Sequence, residues 1–237
     1  AYFRLFSVLT AECLGGAFEI VLLENTKDHS VDVCDVVVVQ RVAVESESDA
    51  ESFIKKLDKL NIPLIIDTDD GFSSLPESHP QKDYYARLDV VLRQLIANAK
   101  SVVFSTVPLK GEYDDISDDK KCVIENTLDE RFWINYRAAK SNIESKRTTD
   151  FNILYMGTAT HDNDFLEAYG ALKSLVEQGY EVKLTVIGAV STRFNEDWIE
   201  FISAPPGLER YPRFARWLRE FSIFDLGIAP LNNDDFN

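Results

Sequence analysis

Tyr211-Pro212-Arg213-Phe214-Ala215-Arg216-Trp217-Leu218-Arg219 leads into Phe224-Asp225-Leu226-Gly227-Ile228-Ala229-Pro230-Leu231 and then into Asn232-Asn233-Asp234-Asp235-Phe236-Asn237. The first segment has the period of an amphipathic helix, the second reads as a short apolar strand and the third as a polar loop. Open α/β sheets hold their ligands at the carboxyl ends of their strands. The stretch therefore points to an α/β fold with a ligand site close to its last residues.

Working back from it, Asn152-Ile153-Leu154-Tyr155-Met156 reads as a strand that runs through Gly157 and a short polar loop into a helix. Phe165, Ala168, Tyr169, Leu172, Leu175 and Val176 mark the inward face of that helix, and Gly179 supplies its C-cap. Strand Lys183-Leu184-Thr185-Val186-Ile187 ends in Gly188. Upstream, Arg137 to Asp150 is polar and charged without an apolar period, which predicts a linker over 141–150 between a domain at 1–140 and another at 151–237.

The first domain predicts a helix over Tyr2–Leu14 ended by Gly15-Gly16, and a strand over Phe18–Leu23. Val36-Val37-Val38-Val39 is β-branched throughout, as in strands covered on both faces. Ser48-Asp49-Ala50-Glu51 has capping-box spacing and opens a helix through Phe53, Ile54, Leu57 and Leu60. Strand Pro63–Asp67, a helix with Tyr84, Leu88, Val91, Leu92 and Leu95 on one face, strand Ser101–Ser105, a weaker helical unit at Pro108–Tyr113 and strand Lys121–Ile124 follow. Such alternation predicts a doubly wound, mostly parallel sheet with right-handed crossovers.

The chain has 237 residues, 45% of them apolar, and a net charge of -15 with a pI near 4.6. That charge repels nucleic acid and anionic lipid heads, so neither is an expected partner, and a small molecule is. Cys13, Cys34 and Cys122 lie far apart without CxxC spacing and read as buried free thiols in a reducing compartment. No apolar run reaches the roughly 18 residues of a membrane span, and no integral membrane segment is expected.

Three constellations could carry chemistry. Gly157-Thr158-Ala159-Thr160-His161-Asp162 joins a strand to a helix, where free N–H groups can hold a phosphate. The plainer reading is a tight turn with Asp162 or Asn163 as N-cap, and Asp162 and Asp164 would oppose an anion. Ile65-Ile66-Asp67-Thr68-Asp69-Asp70 reads as a D-x-D metal and diphosphate site, as strand-end acids in which Asp69 or Asp70 deprotonates an acceptor hydroxyl, or as caps of the turn at Gly71–Ser74. The candidate phosphate loop lies in the other domain, which favours the second reading and argues against a metal. His161 is either catalytic or a solvated loop histidine, His79 is read as a loop residue, and Arg210, Arg213, Arg216 and Arg219 either face a diphosphate or form a solvated helix face. Trp217 and Leu218 are expected in the core.

Taken together, Gly157-Thr158-Ala159-Thr160-His161, Val186-Ile187-Gly188, Tyr211-Pro212-Arg213-Phe214-Ala215-Arg216-Trp217-Leu218, Asp225-Leu226-Gly227-Ile228-Ala229-Pro230-Leu231 and Phe236-Asn237 resemble the second domain of bacterial glycosyltransferases of the GT-B type. Tyr2-Phe3-Arg4, Asp67–Asp70 and Glu125-Asn126-Thr127-Leu128-Asp129 resemble the first domain less sharply. The resemblance implies two Rossmann-like doubly wound domains facing a cleft. It implies a nucleotide-diphosphate sugar as donor substrate, no further cofactor, no metal, and a glycan or glycolipid acceptor, as in polysaccharide biosynthesis. Gly157, Thr158, Thr160, Gly188, Tyr211, Ala229, Pro230, Leu231, Phe236 and Asn237 would hold the donor, with Asp69, Asp70 and His161 catalytic. The cytoplasm, including the inner face of the membrane, is the expected location. The family's Lys-Ser and Lys-x-x-Glu-Tyr groups after Phe-Asn, and its first strand and glycine loop, are missing from this sequence. It is therefore expected to be cut at both ends, with weakened donor binding. A degenerate, non-catalytic GT-B module within a larger protein is the alternative reading; a nucleotide-sugar epimerase lacks the GxGxxG it would need.

Overall fold

The computed structural model describes residues 2–73, 75, 77, 81–133, 150–157, 161–188, 194–208, 210–220 and 224–231. His79, Thr158, Thr160, Phe236, Asn237 and most of the expected linker lie outside them. The chain divides into two compact units, Ala1–Leu128 and Asp129–Asp235.

The first unit is built on a parallel sheet of Val37–Gln40 (β1), Leu64–Thr68 (β2), Ser101–Phe104 (β3) and Lys121–Val123 (β4), in the spatial order β1-β2-β3-β4. Glu47–Leu60 (α1), Lys82–Asn98 (α2) and Val107–Gly111 (α3) make the crossovers. Strands that progress in one direction with right-handed crossovers send successive helices to one face. Val37, Val39, Phe53, Leu57, Ile66 and Leu95 pack there as the core. Val36 and Val38 are exposed, so β1 is covered on one face only, unlike the central strand β2.

The N-cap of α1 is Ser46 rather than Ser48: its Oγ accepts from the Asp49 N–H at 3.1 Å and donates to Asp49 Oδ2 at 2.8 Å. Asn61 ends the helix in the left-handed region at φ 54°, where the Ile62 N–H reaches the Leu57 carbonyl at 3.0 Å. Two predicted elements do not form as expected. The predicted helix over Tyr2–Leu14 is broken into a π-helical turn Tyr2–Phe6, an α-helical turn Ser7–Leu9 and a 3-10 turn Glu12–Leu14, with Ala11 extended at ψ 139° between the last two. Phe18–Leu23 forms no strand, since no described strand pairs with it, and Phe18 and Leu22 stand exposed.

In the second unit Phe151–Gly157 (β5), Val182–Gly188 (β6), Ile199–Ile202 (β7) and Leu226–Ile228 (β8) form a parallel sheet in the order β7-β6-β5-β8. The order runs outward from β5 to β7 and then reverses to place β8 on the other side of β5. Right-handed crossovers accordingly put Asp162–Glu177 (α5) and Tyr211–Leu218 (α6) on opposite faces, the doubly wound arrangement. The core is Ile153, Tyr155, Phe165, Leu172, Leu184 and Val186. Gly179, at φ 90°, closes α5: its N–H bonds the Val176 carbonyl at 2.9 Å and the Tyr180 N–H the Leu175 carbonyl at 3.2 Å.

A short helix before the expected linker, Glu130–Trp133 (α4), also belongs to this unit. Trp133 Nε1 donates to the Tyr211 hydroxyl at 2.9 Å, and the Phe132 ring meets the Tyr211 ring edge to face at 6.2 Å. Ala215 is the buried residue of α6, whereas Trp217 and Leu218, expected in the core, are half-buried. The cysteines are free, but Cys13 and Cys122 are exposed rather than buried. Among the described residues no helix is long and apolar enough to cross a membrane.

Candidate functional site

The acids of the first unit gather where β1, β2 and β3 end, and two arginines organise them. Asp67 is the penultimate residue of β2 and is buried together with Arg4, their side chains 3% and 2% exposed. Arg4 Nε donates to both carboxylate oxygens at 2.9 and 3.0 Å and Nη2 to Oδ1 at 2.6 Å. Its Nη1 donates to the Ile124 carbonyl at 2.6 Å and to Asn126 Oδ1 at 3.3 Å, which ties β2 to the segment after β4. A buried charge needs this degree of satisfaction to be tolerated.

Arg41 follows β1 in the left-handed region at φ 49° and turns its guanidinium over the end of β2. Its Nε donates to Asp69 Oδ1, its Nη2 to Asp69 Oδ2 at 2.5 Å, and its Nη1 pairs with Asp70 Oδ2 at 3.0 Å. Asp69 is thus held by a two-pronged ion pair, and this bond raises the affinity of Arg41 for its proton. Burial pushes the Asp70 carboxyl up from the ordinary value; Arg41 opposes the rise and Asp69 adds to it. The Ser105 hydroxyl at the end of β3 donates to the Asp69 carbonyl at 3.4 Å, and the Thr68 hydroxyl to the Asp70 carbonyl at 3.1 Å.

In the second unit the reversal of strand order lies between β5 and β8, and the crevice beside such a switch point is where open α/β sheets take ligands. Gly157 and Gly188 are paired in register at the carboxyl ends of β5 and β6. Gly188 has φ 115°, and a Cβ there would lie 2.0 Å from the Gly157 carbonyl oxygen. At Gly157 a Cβ would lie 2.5 Å from the Tyr155 hydroxyl oxygen. Both positions therefore exclude side chains and leave bare backbone at this edge. Tyr155 pairs in register with Ile228, so Ala229, Pro230 and Leu231 leave β8 at the same edge.

His161 stands at the N-cap of α5 without a side-chain cap bond, in place of the expected Asp162 or Asn163. Its Nδ1 lies 2.7 Å from Oδ2 of Asp164, whose side chain is 4% exposed against 34% for the histidine. The Tyr155 hydroxyl donates to the His161 carbonyl at 3.3 Å. Burial, with the charges of Asp164 and Asp162, pushes the Tyr155 phenol up. Tyr211 stands at the start of α6, against Phe132 and Trp133, and burial pushes its phenol up as well. Arg210, Arg213 and Arg216 are exposed, which fits a solvated helix face.

Gly157, Gly188, His161 and the Ala229–Leu231 segment thus share one strand edge, while Asp69 and Asp70 share another in the other unit. Sequence reasoning missed Arg41 and the pairing of Asp164 with His161. A cation immediately after a strand end and an acid three residues past a histidine were the available signals. Among the described residues no cluster of three or more His, Cys, Asp or Glu side chains could hold a metal ion.

No protein-family model matches the chain, and no curated protein matches it. Among solved structures, it is similar to the catalytic domain of starch synthase IV from Arabidopsis thaliana bound to ADP and acarbose, with a TM-score of 0.53 and 10% identity over 85% of this chain and 52% of that one. Weaker likenesses are to HepE of Anabaena in complex with UDP (TM-score 0.44, 12% identity, 84% and 50% covered) and to a glycosyltransferase from Rickettsia africae ESF-5 (0.41, 15%, 94% and 62%). The starch synthase likeness shows the fold, two Rossmann-like parallel α/β units of the GT-B type. The chain spans about half the length of that starch synthase chain.

Proposed function

We propose that the chain transfers a sugar from a nucleotide-diphosphate donor to a glycan or glycolipid acceptor without using a metal ion. The observation that carries the proposal is the switch point of the second sheet, with the side-chain-free Gly157 and Gly188 paired at its carboxyl edge. The fold it shares is that of a starch synthase whose structure holds ADP, which supports a nucleotide there. Gly157, Gly188, Ala229, Pro230 and Leu231 line the donor side in this reading, with Tyr211, Thr158, Thr160, Phe236 and Asn237 as further donor contacts. Transfer breaks the bond from the anomeric carbon to the diphosphate and forms one to an acceptor oxygen. Fixed dipoles at the strand edge stabilise the departing charge.

Asp67 and Asp69 are each neutralised by an arginine, which supports acids that organise a site rather than a cation-binding D-x-D. Asp70, held by Arg41 through one oxygen only and pushed up by burial, is then the base that takes the acceptor's proton, with Asp69 holding Arg41 in place. Titration calorimetry against UDP-, GDP-, ADP- and dTDP-sugars is expected to detect one donor binding tighter than about 1 mM, an affinity of about -4 kcal/mol. Failure of all of them overturns the proposal, and binding without turnover identifies a non-catalytic GT-B module.

Asp70→Asn is expected to lower turnover about 10²-fold, the low end of general-base contributions. The acid limb of the wild-type pH–rate profile should lie above the ordinary carboxylate value of 3.8 and vanish in the variant. A folded-state pKa that is raised contributes stability at low pH that is lost as pH rises through it. The melting temperature at neutral pH should therefore stay level or rise slightly. An unchanged rate profile would assign the base elsewhere.

A further inference from the structure

Tyr155, Gly157, His161 and Asp164 form one connected device. Only a glycine at 157 leaves room for the Tyr155 hydroxyl, which in turn bonds the His161 carbonyl. The buried Asp164 carboxylate lies 2.7 Å from Nδ1 of His161. An ionised carboxylate only accepts hydrogen bonds, so Nδ1 must carry the proton. That leaves Nε2, on a ring one-third exposed, with no partner among the described residues.

We propose that Asp164 is a positioning residue: it holds His161 in the Nδ1–H form and presents Nε2 as the acceptor for a hydroxyl of the donor's sugar. This rests on the nucleotide-sugar reading given above. The ligand chemistry follows from local charge. Asp162 and Asp164 both lie in the first turn of α5, and two carboxylates beside the ring suit a hydroxyl and disfavour a phosphate. In the Nδ1–H form, Nε2 has a lone pair to offer and no hydrogen. The diphosphate is then left to the bare backbone of Gly157 and Gly188, and His161 discriminates among sugars.

The ligand-free protein tests the positioning role by itself. In long-range ¹H–¹⁵N spectra of histidine-labelled protein at neutral pH, the resonance abolished by His161→Gln should show a protonated Nδ1 and an unprotonated Nε2. An Nε2–H signal overturns the proposal, and no folding-sensitive variant is needed for that result. Asp164→Asn should give a mixture of both forms. Titration with UDP-glucose, GDP-mannose and ADP-glucose should move the Nε2 resonance, whereas UDP, GDP and ADP should not. In Asp164→Asn, affinity for the sugar nucleotide that binds should fall roughly tenfold, the worth of one hydrogen bond, with that for its nucleoside diphosphate unchanged. Equal weakening of both overturns the sugar assignment. If no nucleotide binds the wild type, the donor reading fails, while the ligand-free spectrum still decides the role of Asp164.

Discussion

Arg4→Ala is expected to destabilise the first unit by about 3–5 kcal/mol, because it strands the Asp67 carboxylate at a position 2% exposed. The lost guanidinium also leaves the Ile124 carbonyl without its 2.6 Å donor. Urea unfolding at neutral pH should show a lower midpoint for this unit. The cost comes from an unpaired buried charge rather than from lost attraction, so Arg4→Met combined with Asp67→Leu should recover most of it. If the single variant loses less than about 1 kcal/mol, water reaches the pair and the pair is a surface salt bridge in its energetics. The effect reaches the proposed chemistry, since Asp69 and Asp70 follow Asp67 on the same strand end and their geometry depends on its anchorage.

Gly188→Ala should be the most damaging single-atom change in the second unit. An alanine at φ 115° carries backbone strain of about 1–3 kcal/mol. Its methyl would also lie 2.0 Å from a carbonyl oxygen of the neighbouring strand, so β5 and β6 must part where the donor is proposed to bind. Displacing well-packed neighbours costs a further ~1–3 kcal/mol. Calorimetric unfolding should show a clear loss for this unit, with donor affinity lost as well. Gly170→Ala is the control: it lies inside α5 with nothing within 4 Å of the added methyl, and the helix should gain about 0.5–1 kcal/mol. If the two variants melt alike, the apposition of Gly157 and Gly188 is looser than 2.0 Å implies.

Elements with a long apolar period were legible in the chain. α1, α2 and α5, and the strands between them, follow from spacing alone, because a helix satisfies its hydrogen bonds within itself. Phe18–Leu23 has the composition of a strand and is not one, because a strand needs a partner and nothing in a local pattern says whether one will arrive. The same gap hid the arginines. Arg4 meets Asp67 across 63 positions, and Arg41 meets Asp69 across 28. Asp164 illustrates a different limit. Its spacing from His161 was visible, but its burial, 3% exposed, was not. The acids at Asp69 and Asp70 could be placed at a strand end from the sequence, while the difference in their roles comes from the one guanidinium that grips both.

The hydrogen bond from Trp133 to Tyr211 also sets a clock. The two residues are 78 positions apart, and ribosomes add about 5–20 residues per second, so α4 emerges roughly 4–16 s before the tyrosine that completes its packing exists. Through that interval Phe132 and Trp133 lack their Tyr211 contacts on the nascent chain. A protein begun at Phe151 would never regain them. The second unit is therefore best produced from Asp129 onward.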